Sequence, residues 1–323
     1  MTNLFVSFVV NAETSGYCGP KDSNGNWGTN CSWEYDTQTH TLTVSGTGAV
    51  GGDILYDTDN NGNRYNYHNG AAWAEYAKDI KNAVINEGIT SIEFGTFYKT
   101  TLEHVAIPQS MKTIGAQSFQ YSRLKELILP ENIENIGHAA FHSTDIESIV
   151  IPANLKKNGA TINYLGKNTH LLGTRKLSNI VIDGNAYFEK NMLLGTNLSK
   201  IKVIYCNVTN DDCQNLLEDA DIGSKIAFYE KEDGLYKMKD EKDNDVYFAS
   251  AYLIEGQKKC ENKQQCLSVL DAISKNRPFV IGGKFYNSVY DLAKGNYVKH
   301  RIYTVDEANQ VAGDKNRVSI KYR

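Results

Sequence analysis

Proline is scarce in this chain of 323 residues, with 5 in all, against 26 glycines and 20 tyrosines. That balance disfavours a proline-rich linker protein and favours β-structure joined by turns. No apolar stretch is long enough to span a bilayer. Charge of one sign is also missing. The 34 basic and 38 acidic residues are interspersed and leave a net charge of −4, so no nucleic-acid or anionic-membrane footprint is present. The chain contains no G-x-S-x-G elbow and no P-loop. Acids are plentiful but scattered, and nothing pairs a nucleophile with a base. No catalytic residue and no cofactor is assigned.

The stretch Leu42-Thr-Val-Ser-Gly-Thr-Gly-Ala-Val-Gly51 contains a match to G-x-G-x-x-G after an apolar alternation. A dinucleotide site needs a helix starting at the third glycine, whose free N–H groups hold the pyrophosphate. Residues 52–63 carry turn formers and no helical apolar spacing. The stretch therefore reads as a strand ending in a tight glycine turn.

The main organising feature is a repeat. Pro108, Pro130 and Pro152 are evenly spaced, since 130 − 108 and 152 − 130 are both 22. The same step links Val105, Leu127 and Ile149; Ile107, Leu129 and Ile151; Ile114 and Ile136; Gly115 and Gly137; and Phe97, Phe119 and Phe141. Such a period lies in the leucine-rich range. Each unit has a short L-x-x-I-x-I strand, which proline ends because it cannot donate to a ladder. A return segment, I-G-x-x-x-F, follows. No unit buries its apolar side alone, so the units must stack. Residues 155–173 are irregular. The strand pattern returns at Leu177-x-x-Ile180-x-Ile182 and Leu198-x-x-Ile201-x-Val203, giving about five strand-forming units between residues 84 and 205.

The array resembles the BspA-like leucine-rich repeat family. The resemblance extends to a segment ahead of the repeats: Cys18-Gly19, Trp33-Glu-Tyr-Asp36, Thr41–Val50 and Ala71-Ala-Trp73. Four departures stand out: Val50 replaces the usual Met, Ala72 replaces Pro, residues 51–70 form a long insertion, and Ser118 replaces the usual Ala before Phe119. The fold expected is a repeat solenoid, with a β-rich cap over residues 13–80, repeats over 81–205 and a small α/β domain over 206–323. In that last third, residues 225–229, 245–249 and 279–281 read as strands. Residues 260–276 show helical spacing. The end reads as a strand at Arg301-Ile-Tyr303, a capping box Thr304-x-x-Glu307, a helix stop at Gly313 and a closing strand over 317–323.

Residues 4–10 are mostly apolar and Val10-Asn11-Ala12 resembles a cleavage site, so residues 1–12 read as a secretory signal lacking its charged start. A first β-strand is the competing reading. The six cysteines fall into local pairs Cys18/Cys31, Cys206/Cys213 and Cys260/Cys266, none with zinc-ligand spacing. An even count in an exported chain favours disulfides, and local pairing is the simplest of the connectivities. Asn30, Asn197 and Asn207 open glycosylation sequons, relevant only in a glycosylating source.

Two metal-like patterns occur. His138 and His142 stand at i, i+4, without the catalytic Glu of H-E-x-x-H. Asp57-Thr-Asp59-Asn-Asn61-Gly62 matches half of a calcium loop, but His68 stands where a bidentate Glu is required. Neither is assigned as a metal site. Asn/Asp/Gly insertion into solvent is the favoured reading of the second.

The resemblance implies a secreted or cell-surface binding or adhesion protein, monomeric, whose partner is a host matrix or cell-surface protein or glycan. The alternative is an exported hydrolase with its site in the last third. In each strand, residues between the inward positions point outward. They form one column of His104, Glu126, Ser148, Asn179 and Lys200, and a second of Ala106, Ile128, Val150, Val181 and Lys202. The second is unusually apolar for a solvated face. It is a partner-binding surface, a row that merely reflects β-propensity, or a row covered by the C-terminal third.

Overall fold

The computed structural model describes residues 14–125, 127–155, 172–255, 257–275 and 277–286. The expected signal at 1–12, the elements expected at 301–323, most of the irregular stretch 155–173, and Glu126 lie outside these.

Two ladders carry the repeat. In the first, antiparallel strands Ser15–Gly19, Gly28–Asp36 and Thr41–Gly46 lead into parallel strands Asn82–Ile85 and His104–Ala106. The second is parallel throughout: Gly48–Val50, Ile89–Ile92, Thr113–Ile114 and Asn135–Ile136. Its register sets Val50 beside Ile92, Ile92 beside Ile114 and Ile114 beside Ile136. The stretch Leu42–Val50 thus contributes one strand to each ladder. Gly46 and Gly48, with φ of 130° and 73°, make the corner between them, a conformation that glycine adopts at no steric cost. No helix follows, and the nucleotide pattern is a corner in the sheet.

Between the ladders the aromatic column is continuous. Phe119 is fully buried, its ring centroid 5.2 Å from Phe97 and 5.7 Å from Phe141, and Trp73 extends the stack, 5.4 Å from Phe97. The glycine column exists because consecutive units approach closely. A Cβ on Gly115 would sit 2.6 Å from the carbonyl carbon of Glu93, and one on Gly137 would sit 2.3 Å from the nitrogen of Ala116.

The return segments are tight turns rather than helices. Each unit places two residues in the left-handed region: Gly95 and Lys99, Gln117 and Tyr121, Ala139 and Ser143. The turn is closed by a buried hydroxyl column, in which Thr100 donates to Phe97 O at 2.9 Å and Thr144 to Phe141 O at 2.8 Å. Polar side chains two residues after each proline tie successive units together. Ser110 donates to Ile89 O, Asn132 to Gln109 O and Asn154 to Glu131 O.

A third sheet has parallel strands on either side of the irregular stretch: Ser148–Ile151 before it, and Asn179–Ile182, Val203–Asn207 and Ile226–Glu232 after it. It ends in antiparallel strands Leu235–Lys239 and Asp245–Phe248. The division expected at residue 205/206 falls inside a strand. The C-terminal third adds helices Ala251–Glu255 and Lys263–Ser274, the second capped by Asn262. A hairpin of Phe279–Ile281 and Lys284–Tyr286 turns through Gly282 and Gly283, both at positive φ. The three expected disulfides are present, Cys18–Cys31, Cys206–Cys213 and Cys260–Cys266, with Cα separations of 5.3, 6.3 and 5.4 Å, all within ordinary bridging range.

Candidate binding surface

The apolar row does not form an open face. Ala106 is exposed and Ile128 is half-buried, but Val150 and Val181 retain 3% and 0% of their exposure. Strands Ser148–Ile151 and Asn179–Ile182 lie between two cores. Ile149, Ile151, Ile180 and Ile182 face the repeat interior. Val150 and Val181 face a second core with Tyr229, Tyr236, Tyr252, Leu253 and Ile254. Helix Ala251–Glu255 lies across both strands and supplies the cover. Burying those two valines removes apolar surface from water and is the reason the helix docks there. As a partner-binding surface, Ile128, Val150 and Val181 are therefore corrected to an interface within the chain.

Polar contacts fix this cover. Tyr236 donates to the Asp183 carboxylate at 2.7 Å, and Lys231 pairs with the same carboxylate at 3.0 Å. Tyr229 donates to Ile182 O and accepts from Gly184 N. Burial, and then the Asp183 charge, push both phenols well above their ordinary pKa, so both remain donors. Further along the C-terminal strands, Lys237 bridges Glu232 and Asp245, and Lys263 bridges Glu232 and Asp233.

The polar column also needs a correction. His104, Ser148 and Asn179 are half-buried in their strands. Lys200 and Lys202 do not continue the two columns. The ladder pairs Asn179 with Val203 and Val181 with Tyr205, three residues later than the apolar spacing suggested. Asn197 accepts from Ser199 N at 3.1 Å and caps a 3-10 turn over Leu198–Lys200, which delays the strand. Tyr205 packs against the second core as Val181 does.

A different surface stays open. The insertion folds as a hairpin of Ile54–Thr58 and Arg64–Asn69. Its base is pinned by Asn69, a buried amide that donates to the carbonyls of Gly95, Thr96 and Tyr98 and accepts from Ala71 N. This docks the hairpin against the return turns. The guanidinium of Arg64 lies 4.1 Å over the Tyr56 ring, and Tyr56 is 5.8 Å from Tyr67. Lys99 donates to Tyr67 O at 2.7 Å and stands 6.0 Å from the Tyr121 ring. Tyr121 meets Tyr98 edge-on at 5.8 Å and His142 at 6.1 Å. An aromatic and cationic strip thus runs from the hairpin across successive turns. Burial, and then the neighbouring Tyr121 and Tyr67 phenols, raise the pKa of Tyr98. Tyr56, Tyr65, Tyr67 and Tyr121 are exposed by 38%, 51%, 39% and 44%. Tyrosines this exposed on one side of a molecule are the residue type that contact surfaces favour.

Sequence reasoning did not single out this strip. A local signal existed in Tyr65-x-Tyr67 and in the turn column Lys99, Tyr121 at the repeat step. That these meet depends on Asn69 docking the hairpin, which no local pattern encodes.

Neither metal-like pattern forms a ligand set. Asp59 accepts from Asn61 N and Asn63 N, both at 2.8 Å, and from the Asn63 amide. Asp22 and Asp240 make the same turn with Asn26 and Asn244. The carboxylate therefore closes a hairpin turn. His138 and His142 flank Ala139, whose φ of 54° breaks the helical geometry their spacing would need. Among the described residues no three His, Cys, Asp or Glu side chains converge.

Stacked units of one strand and one return turn, sharing an aromatic column, define a leucine-rich repeat protein. Residues 73–164 match the BspA type Leucine rich repeat region, in 6 copies. Solved structures that match include a leucine-rich repeat protein from Eubacterium ventriosum, at 20% identity and a TM-score of 0.40. The match covers 57% of this chain and 43% of that one. A leucine rich cell surface protein from Faecalibacterium prausnitzii matches at 16% identity and TM-score 0.30, over 68% of this chain and 59% of that one. A leucine-rich repeat protein from Bacteroides ovatus matches at 17% identity and TM-score 0.30, over 57% and 64%. The chain thus spans less than half of the Eubacterium protein. No curated protein matches it.

Proposed function

We propose that the chain is a secreted or cell-surface adhesion protein that holds a protein or glycan partner on the strip from Arg64 to His142. BspA-type repeats generally serve adhesion or binding and are typically non-enzymatic. Three disulfides, with no free cysteine, suit an oxidising compartment. No helix among the described residues is long and apolar enough to cross a membrane.

The observation that carries the reading is the contrast between two surfaces. The apolar row is covered from within, whereas the exposed rings of Tyr56, Tyr67 and Tyr121 have no cover among the described residues. Aromatic side chains give large contact area at low entropic cost, which suits a binding surface. The test is adhesion of the purified chain to matrix-coated and cell-coated surfaces. The triple variant Tyr56→Ala, Tyr67→Ala, Tyr121→Ala should lose adhesion by about tenfold or more while keeping its melting temperature. Undiminished adhesion by that variant would overturn the strip as the contact surface.

A further inference from the structure

We infer that the partner held on this strip is an acidic polysaccharide, a chain of sugar rings bearing carboxylate or sulfate groups. This rests on the binding reading above and specifies its ligand.

The first argument is charge. The whole chain is mildly acidic, and several of its lysines sit in ion pairs. Lys125 pairs with Glu103, Lys190 with Asp219 and Asp221, Lys239 with Asp245, and Lys275 with Asp271. Among the described residues, Arg64, Lys78 and Lys99 form no ion pair. Arg64 lies on the Tyr56 ring, and Lys78 donates to Lys99 O, which brings its ammonium alongside the strip. Both carboxylates within the hairpin are engaged, Asp57 accepting from the Asn66 amide at 2.8 Å and Asp59 from Asn61 N and Asn63 N. Cations held beside aromatic rings and free of ion pairs complement an anionic ligand.

The second argument is shape. Stacking fixes the plane of the Arg64 guanidinium and leaves its N–H edge for a bidentate oxyanion, which is how arginine meets carboxylate and sulfate. The Tyr56 and Tyr67 rings are tilted by 53° rather than parallel. They offer separate faces to successive rings of a bent chain. The apolar C–H face of a pyranose packs on such a ring, while its hydroxyls reach the phenols and amides around it. Aromatic faces and cations therefore alternate along the strip, as apolar faces and charges alternate along an acidic polysaccharide.

The experiment uses the full chain and titration calorimetry at low and high salt. The probes are hyaluronan oligosaccharides, chondroitin sulfate, neutral dextran and a single-stranded DNA of matched charge. Binding is expected to one or both acidic polysaccharides, to weaken with salt, and to exceed binding to dextran and DNA by tenfold or more. The double variant Arg64→Gln, Lys99→Gln should lose about tenfold at low salt and lose the salt dependence. Arg64 is exposed, Lys99 is half-buried, and Gln117 already occupies the same left-handed conformation as Lys99; an unchanged melting curve verifies that the fold is kept. Equal binding of dextran or of DNA overturns the proposal. So does failure of every acidic polysaccharide to bind. If adhesion to a protein-coated surface persists and depends on the three tyrosines, the ligand class is wrong and the adhesion reading stands. If adhesion ignores the tyrosines, the strip itself is wrong.

Discussion

The hydroxyl of Tyr252 donates to the backbone carbonyl of Leu129, across 123 residues of sequence. It is the polar end of a contact whose apolar part is Tyr252, Leu253 and Ile254 over Val150 and Val181. Strands buried on both faces read as unbroken apolar runs, and Ile149-Val-Ile151 and Ile180-Val-Ile182 are such runs.

Val181→Lys should therefore unfold the chain more easily, by roughly 3 kcal/mol or more, because an unpaired charge would enter the second core. Ala106→Lys, in the exposed part of the same row, should change stability by less than about 0.5 kcal/mol. Denaturant unfolding of the two variants separates them. Equal and small effects would mean the row is open to solvent.

Phe119→Ala should cost roughly 3–5 kcal/mol, the usual range for a buried phenylalanine. Its ring is stacked on both sides, so neighbouring rings cannot readily close the void. A loss below about 1 kcal/mol in the same assay would place the ring outside the column.

Asn69→Ala removes the amide that serves three carbonyls under the hairpin. Leaving buried acceptors unmet costs about 1–3 kcal/mol. Amide exchange in residues 54–69 should rise while exchange in strands Ser148–Ile151 and Asn179–Ile182 stays the same. Equal protection of the hairpin in the variant would show that Asn69 does not anchor it.

Asp59 has its carboxyl held below the ordinary range, chiefly by hydrogen bonds from the Asn63 side chain and backbone. A lowered pKa stabilises the turn at pH above the unfolded value, and this contribution is lost as pH falls through the folded value. The amide shifts of Asn61 and Asn63 should move together with the carboxyl in an acid titration. Amides that stay fixed while Asp59 protonates would contradict the turn geometry. Calcium should leave these shifts unchanged, since Asp59 already accepts three hydrogen bonds within the turn.

Much of the repeat was legible because stacking forces columns into register. Proline, isoleucine, glycine and phenylalanine recur at one step for physical reasons that the structure bears out at Phe119, Gly115 and Ile114. The cysteine pairs were legible as short loops. The register at Lys200 and Lys202 was not, because Leu198-x-x-Ile201-x-Val203 imitates the strand pattern while Asn197 caps a turn within it. Helix Ala251–Glu255, at 5 residues, is too short for periodicity to show. The strip was hidden for a third reason. Tyr56 and Tyr121 are joined through Asn69 and Lys99, and contacts between distant segments leave no trace in local spacing.

Hydrogen exchange of the whole chain with and without a bound acidic polysaccharide is the most direct measurement. Binding on the strip should slow exchange in residues 54–69, 95–99 and 117–121, and leave 148–151 and 179–182 as slow as before, since helix Ala251–Glu255 already covers them. Protection gained at 148–151 and 179–182, with none in the hairpin, would contradict this and return the binding surface to the apolar row.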